Sequence, residues 1–201
     1  MSVTMLKKSS TKDIILKTAE KFFAKDGYMA VSINKIAKTV NVAKSSIYHF
    51  FENKQDLYFQ VLTRSFEEID AILQKEVGRE EEVNKKIYNI IVAYLDFGIK
   101  NKNLFCSIIQ KASNSEKEVV KFIAKLRKKL ISHFEKVIQV GVNKNILHIT
   151  DSKLSAYLLV GTMDSFLMDN VLAREKGWSS QQVAEQIVQS LFGLRGKQTS
   201  V

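Results

Sequence analysis

Apolar residues recur every three or four positions along this chain, in one segment after another, and strand-like alternation is nearly absent. This spacing puts the apolar side chains on one face of a helix, so it predicts an all-α protein. The chain contains no proline and only eight glycines, so few positions would interrupt a helix. The pattern predicts about nine helices, at 11–26, 33–40, 43–51, 53–78, 82–101, 104–109, 115–137, 151–176 and 179–192.

Polar residues at the predicted helix starts support this division. Ser32 and Asn53 precede the second and fourth helices, where their side chains can accept hydrogen bonds from the first turn. The segments 115–118 and 179–182 resemble capping boxes. Gly27 follows the first helix, at a position where a left-handed residue commonly ends a helix. The caps therefore indicate several separate helices.

The predicted helix at 151–176 is apolar on nearly every side, unlike the others. Such a helix needs apolar neighbours all round, and its own chain supplies only part of them. A symmetric contact between two copies, formed by this helix and the one at 179–192, would supply the rest. A central helix within one large bundle is the alternative. We favour a homodimer whose interface includes Leu159, Met163, Leu167, Ile187 and Leu191.

Positive charge is concentrated near the N-terminus. Residues 1–54 contain ten Lys or Arg and four Asp or Glu, whereas the rest of the chain contains 21 and 17, and the whole chain carries +10. Such an excess suits a polyanionic partner, either nucleic acid or an acidic membrane surface. A basic protein without such a partner is the alternative. If the partner exists, the N-terminal quarter should bind it.

Several kinds of site and location are disfavoured by the sequence. Cys106 is the single cysteine, which leaves no intrachain disulfide and favours a reducing, intracellular setting. The apolar stretch 154–163 is uncharged for only ten residues, whereas a membrane span needs about 20. We therefore expect a soluble cytoplasmic protein that does not bind membranes. His49, His133 and His148 are isolated from other metal-ligating residues, so we expect no metal and no cofactor.

The sharpest motif lies at 33–51, where two short helices meet at a tight turn. Ala37 is small enough for the second helix to approach, Asn41 tolerates the left-handed backbone of the turn, and Ile47 and Phe50 face inward. This spacing is typical of a helix-turn-helix. Tyr48 on the third helix has an alternative interpretation as a half-buried packing residue. The outward side chains of that helix suit phosphates and base edges in a major groove, and they are Lys44, Ser45, Ser46, Tyr48 and His49.

This region resembles the DNA-binding region of the tetracycline-repressor-like (TetR) family. The resemblance covers about residues 11–62 and rests on AEKFFAKDGYMAVS and SINKIAKTVNVAKSSIYHFFENKQDLYFQVL. It implies that the third helix enters the major groove and that a dimer spans a palindromic operator in double-stranded DNA. Asn41 and Ser45 stand where the family usually has glycine, and Ser45 can change the base contacts. By position, the resemblance implies DNA contacts from Ser32, Lys44, Ser45, Ser46, Tyr48, His49 and Lys54.

The resemblance also implies a ligand-responsive transcriptional regulator, expected to be a repressor, with two domains. These are a helix-turn-helix DNA-binding domain at 1–52 and a ligand-binding and dimerisation domain at 53–201. A small-molecule effector would bind among the fourth to eighth helices and weaken the binding to DNA. The aromatic and apolar side chains there suit a largely apolar ligand, although each can equally be a core residue. They are Phe66, Tyr94, Phe97, Phe105, Phe122, Met163 and Phe166.

Two acidic residues interrupt the apolar helix at 151–176. Asp164 and Asp169 would need a partner if they were buried. A cationic ligand, a basic residue across the dimer, and solvent are all possible partners at this point.

Two other classes of function have less support in the sequence. An enzyme built on a helical bundle lacks support, because the chain has no Glu-x-x-His pair, no glycine-rich phosphate loop and no nucleophile with a placed base. A non-specific basic binder predicts binding that ignores sequence and disappears with salt. The helix-turn-helix motif favours the regulator over both.

Overall fold

The computed structural model describes residues 10–102, 117–172 and 177–193. These residues contain helices and no strand, so the all-α prediction is confirmed. The helix predicted at 104–109 and the first two residues of the capping box predicted at 115–118 lie outside the described residues. The helices are α1 (Thr11–Ala30), α2 (Ile33–Val40), α3 (Lys44–Phe50), α4 (Lys54–Gly78), α5 (Val83–Lys100), α6 (Lys117–Asn143), α7 (Ser152–Leu172) and α8 (Ser180–Phe192).

Capping side chains begin several of these helices where the sequence indicates. The Ser32 side chain accepts a hydrogen bond of 3.1 Å from the backbone N–H three residues later, and Asn53 accepts the equivalent bond at 2.9 Å. Ser179 and Gln182 form a complete capping box at the start of α8. These bonds satisfy backbone donors that have no partner within the helix.

The first helix is longer than predicted. Gly27 does have a positive φ (77°, with ψ 161°), but the chain resumes a helical turn after it and α1 ends at Ala30. Glycine permits this kink because it has no Cβ. The turn is held by Tyr28, whose ring centroid lies 5.8 Å from that of Phe23 and 4.8 Å from that of Tyr58.

The buried side chains form two cores. The first joins α1, α2 and α3 to the first turns of α4, and its buried residues on α4 extend to Leu62. The second begins at Ile69 and joins the rest of α4 to α5, α6, α7 and α8. The predicted domain boundary between 52 and 53 stays a prediction, since α4 contributes to both cores.

Helix α7 has one apolar face in the second core and another on the surface. Leu154, Tyr157 and Leu158 are exposed. The predicted interface residues Leu159, Met163 and Leu167, together with Ile187 of α8, are instead buried within the single chain, which corrects the expectation for these four. The periodicity cannot distinguish the two faces, because both are apolar. Leu191 is 43% exposed and stays available for an interface.

Helices α5 and α7 pack closely at Gly98, where a Cβ atom would overlap the side chain of Leu167. This contact brings the two backbones together in the middle of the second core. In the described part of the chain, no helix is both long and apolar enough to cross a membrane.

Candidate nucleic-acid interface and effector region

The turn between α2 and α3 has the geometry that the sequence predicts. Asn41 adopts the left-handed conformation (φ 55°, ψ 49°). The backbone N–H of Val42 then donates a 3.1 Å hydrogen bond to the carbonyl of Ala37. Ile47 and Phe51 are fully buried below the turn, so they hold α3 against the rest of the first core.

The opposite face of α3 carries the predicted DNA-contacting residues. Lys44, Ser45 and His49 are exposed, and Ser46 is half-buried. Tyr48 is 45% exposed, and the Lys44 Nζ lies 5.7 Å from the centroid of its ring. Tyr48 is thus outside the first core, which removes support from its interpretation as a packing residue. The face combines a positive charge, hydroxyl groups and two aromatic rings on seven residues of helix.

Two further predicted contact residues lie at the starts of neighbouring helices. Ser32 is the exposed N-cap of α2. Lys54 is the first residue of α4, and its Nζ donates a 3.4 Å hydrogen bond to the Met29 carbonyl and lies 4.3 Å from the Tyr28 ring centroid. Burial lowers the pKa of Lys54. These contacts restrict the ammonium group to one place beside the first core.

An open depression between α2 and α3 contains exposed polar residues that are not among the predicted DNA contacts. Asn34 and Lys38 are exposed there. They are four positions apart on α2, and this spacing in the sequence already indicates that they share one face of the helix. Lys35 lies beside them, but its Nζ is 2.6 Å from Asp26 and so is already paired. The lining residues are Ser32, Asn34, Lys35, Ala37, Lys38, Asn41, Val42, Ala43 and Lys44.

Most of the predicted effector-contacting residues belong to the second core. Tyr94 and Met163 are buried in it, and Phe66, Phe97 and Phe166 pack against it half-buried. Phe105 lies outside the described residues.

Phe122 differs from these residues in its surroundings, and its contact with the effector stays a prediction. It packs against the first core, where its ring stacks on that of Phe59 of α4 with centroids 4.7 Å apart and planes inclined by 27°. The N-terminal part of α6 therefore contacts the first core through this aromatic pair.

A polar cluster joins α5, α6 and α7 at the second core, and we call it the Arg127 cluster (Arg127, Asp164 and Tyr94). The Tyr94 hydroxyl donates a 2.7 Å hydrogen bond to Asp164 Oδ1, and the Arg127 guanidinium is ion-paired with Asp164 Oδ2. Burial raises the pKa of Asp164, although both partners act to lower it. Burial and the neighbouring Asp164 raise the pKa of Tyr94 well above its usual range. Asp164 is thus partnered within its own chain, while Asp169 is exposed.

A second polar group, the Asp70 network (Asp70, Lys129 and His133), connects α4 to α6. Lys129 Nζ donates a 2.7 Å hydrogen bond to Asp70 Oδ2, and His133 Nε2 lies 2.7 Å from Oδ1. Burial alone would raise the pKa of Asp70, but the hydrogen bonds from His133 and Lys129 outweigh it and lower the pKa. No group of three or more metal-ligating side chains occurs among the residues described.

Comparison with known proteins gives related sequences and folds. Residues 15–61 match the family model for bacterial regulatory proteins of the tetR family. The helix-turn-helix transcriptional regulator YhgD of Bacillus subtilis (strain 168) is 26% identical over 159 residues, which is 79% of this chain and 83% of that protein.

Two solved structures share the fold over nearly their whole length. The transcriptional regulator FadR from Bacillus subtilis, in complex with stearoyl-CoA, has a TM-score of 0.79 at 19% identity and covers 89% of this chain and 96% of its own. AibR, in complex with isovaleryl coenzyme A and operator DNA, has a TM-score of 0.72 at 18% identity and covers 91% and 98%.

Proposed function

We propose that the chain is a ligand-responsive transcriptional repressor of the tetR family of bacterial regulatory proteins, whose family model residues 15–61 match. A small, largely apolar ligand would release it from its operator. The observation that carries the proposal is the exposed polar face of α3 on a buried helix-turn-helix core. A helix with such a face fits the major groove, where base edges present distinct donors and acceptors.

Within this proposal the contacts divide by chemistry. Ser45, Tyr48 and His49 on α3 contact base edges, because their side chains offer short, oriented hydrogen-bonding groups. Lys44 and Lys54 contact phosphates and supply affinity with little sequence information. Ser32 and Ser46 complete the predicted set at the edges of this face.

The protein acts as a homodimer on a palindromic operator. Two α3 helices must then enter successive major grooves about 34–36 Å apart. The surfaces offered for pairing are the exposed apolar face of α7, with Leu154, Tyr157 and Leu158, and the exposed Leu191 of α8. Burial of these side chains between two copies would remove apolar surface from water and stabilise the dimer.

The effector binds at the second core, near Tyr94, Phe97, Met163 and Phe166. The support is the apolar character of this region and the acyl-coenzyme A molecules bound by the structurally similar FadR and AibR. We propose a role in regulation and not in catalysis, and a location in the bacterial cytoplasm, where the DNA is.

Release from DNA follows from a shift between two conformations of the dimer. A ligand can shift this balance only by as much as it prefers the conformation that does not fit the operator. Helix α6 contacts both cores, through the Phe59–Phe122 stack at one end and the Asp70 network further along. Movement of α6 at the second core would therefore change the position of the DNA-binding domain.

Fluorescence anisotropy tests the DNA-binding part of this proposal. A labelled duplex from upstream of the chain's own gene is titrated with protein at about 150 mM salt, with excess unrelated DNA as competitor. We expect binding that survives the competitor. The same titration is repeated with a panel of selected genomic fragments. If the competitor abolishes binding to this duplex and to every fragment, the non-specific alternative is supported.

The Tyr48→Ala variant tests the assignment of α3 as the recognition helix. We expect operator affinity to fall by about 1–3 kcal/mol, the usual value of one specific base contact, with an unchanged circular dichroism spectrum because Tyr48 is exposed. Lys136→Ala, which removes an exposed lysine of α6, is the control and should bind as the wild type does. Equal operator affinity of Tyr48→Ala and wild type would show that the assignment is wrong.

A further inference from the structure

The Arg127 cluster is unusual because it places three polar groups at the edge of an apolar core. Asp164 is one residue from the fully buried Met163 on α7, and Tyr94 is itself 8% exposed. The Arg127 side chain is 42% exposed and the Asp164 side chain 14% exposed, so the guanidinium lies between solvent and the core. A ligand that approaches from solvent would meet Arg127 before the apolar residues.

We propose that this cluster is the polar subsite of the effector, and that it takes an oxyanion, carboxylate or phosphate, at the end of an apolar chain. Arg127 would leave Asp164 and bind the oxyanion, while the apolar chain packs against the second core. The inference rests on the proposed function, because it names the class of ligand that the repressor senses.

The chemistry of the three groups suits this exchange. A guanidinium binds carboxylates and phosphates through two parallel N–H donors and stays charged at any ordinary pH. The Tyr94 hydroxyl is a donor that stays protonated, because its pKa is raised well above the usual range. The groups that face Asp164 are Arg127 from α6 and Tyr94 from α5.

A charged carboxylate beside the bound oxyanion would repel it, so Asp164 has to lose its charge when Arg127 leaves. Burial already raises the pKa of Asp164, which makes this protonation easier. The protonated Asp164 would then add a third donor to the subsite.

The charge around the subsite favours an anion. Residues 117–129 of α6 contain six basic residues and one acidic residue. Lys121, Lys125 and Lys128 are exposed along this segment, so their field reaches solvent. Among the described side chains, Arg127 is the cation that reaches Asp164. The lysines would attract an anionic ligand and Arg127 would bind it.

The subsite is also close to the contact with the DNA-binding domain. Arg127 follows Phe122 by five residues on α6, a rise of about 7.5 Å along the helix. Phe122 stacks on Phe59 of α4. A change of partner at Arg127 would therefore act on the part of α6 that contacts the first core.

Direct binding of three probes to the full-length protein without DNA tests the subsite. Dodecanoate and dodecanoyl-CoA carry an oxyanion on the same apolar chain, and dodecanol carries none. We expect the wild type to prefer an oxyanion probe over dodecanol. In Arg127→Gln that preference should fall by about ten- to one-hundred-fold, as expected when a charge-assisted hydrogen bond is lost. Lys136→Gln removes the same charge from an exposed position further along α6, outside the 117–129 segment, and should keep the preference.

The Asp164→Asn variant should change ligand affinity in the opposite direction from Arg127→Gln. It removes the carboxylate that competes for Arg127 but keeps an acceptor for Tyr94, so the oxyanion probe should bind about threefold to tenfold more tightly. A purely structural ion pair predicts weaker or unchanged ligand binding and lower stability in both variants. Unfolding measured on each variant identifies any loss of fold.

The outcomes identify the oxyanion and separate the subsite proposal from the proposed repressor function. If dodecanoate alone depends on Arg127, the oxyanion is a carboxylate; if dodecanoyl-CoA alone does, it is a phosphate. An unchanged preference in Arg127→Gln, or a wild type that binds neither oxyanion probe, overturns the subsite. Operator binding is measured separately by anisotropy, so its failure would overturn the proposed function and not the subsite.

Discussion

At the scale of single residues, Asp70 shows how a buried charge is stabilised. It is 8% exposed, and its two oxygens interact with Lys129 and His133 of α6. Removing the carboxylate charge would leave the buried His133 without a matched partner, which is costly in an apolar environment. The network therefore contributes to stability through the α4–α6 contact.

We predict that Asp70→Asn lowers the free energy of unfolding by about 1–3 kcal/mol, measured by urea denaturation at a fixed protein concentration. Because the folded-state pKa of Asp70 is lowered, its contribution is complete above the unfolded pKa and is lost as the pH falls through the folded value. The gap between wild type and variant should be constant near neutral pH and shrink below about pH 4. Asp96→Asn, at an exposed position of α5, is the control. An equal effect of the two substitutions would refute the prediction.

At the scale of helices, α5 and α7 are set close together by the absence of a side chain at Gly98. We predict that Gly98→Ala lowers the free energy of unfolding by about 1–3 kcal/mol, because the new methyl group would overlap the buried Leu167. The loss should exceed the gain in helix propensity of up to about 1 kcal/mol. Thermal unfolding is measured for Gly98→Ala, Leu167→Ala and the double variant. Leu167→Ala makes room for the new methyl group, so the double variant should recover part of the stability that Gly98→Ala loses.

Gly78→Ala is the matched control for this prediction. Gly78 ends α4, and a Cβ there would have nothing within 4 Å. Its substitution should change stability by no more than about 0.5 kcal/mol. A Gly98→Ala protein as stable as Gly78→Ala would show that the two helices can separate without cost.

The helices were largely predictable because their signals are local. Caps such as Ser32 and Asn53 and the left-handed Asn41 act within one turn of the chain, so the sequence shows them directly. The orientation of α7 was not predictable. It depends on which apolar face packs on distant helices, and Leu158 and Leu159 are chemically identical while one is exposed and the other buried.

The site residues also divide into those that local spacing predicts and those that depend on packing between distant helices. The polar face of α3 follows from helical spacing, whereas the partner of Asp164 does not. Arg127 is 37 residues away in sequence and meets Asp164 only because α6 and α7 pack together. The stacking of Phe122 on Phe59 was not predictable for the same reason, since the two rings are on different helices.

At the scale of the whole molecule, the exposed face of α7 predicts different outcomes for adjacent leucines. Leu158 is 58% exposed, so Leu158→Glu should give a folded protein that sediments as a monomer where the wild type is a dimer. Leu159 is 1% exposed, so Leu159→Glu should prevent stable folding, because a charge would be buried in the second core. Sedimentation velocity and circular dichroism at the same protein concentration measure both. A stable Leu158→Glu dimer would show that this face is not the interface.

The separate placement of the pairing face and the polar face of α3 has a genetic consequence. The proposed pairing residues belong to α7 and α8, whereas the recognition residues belong to α3. A copy with an inactive α3 should therefore pair as well as an intact one. In a cell that makes both copies, mixed dimers would carry one working recognition helix and would lose the second half-site contact. Alleles that damage α3 should therefore be dominant over the intact allele, whereas alleles that also remove the pairing face should be recessive.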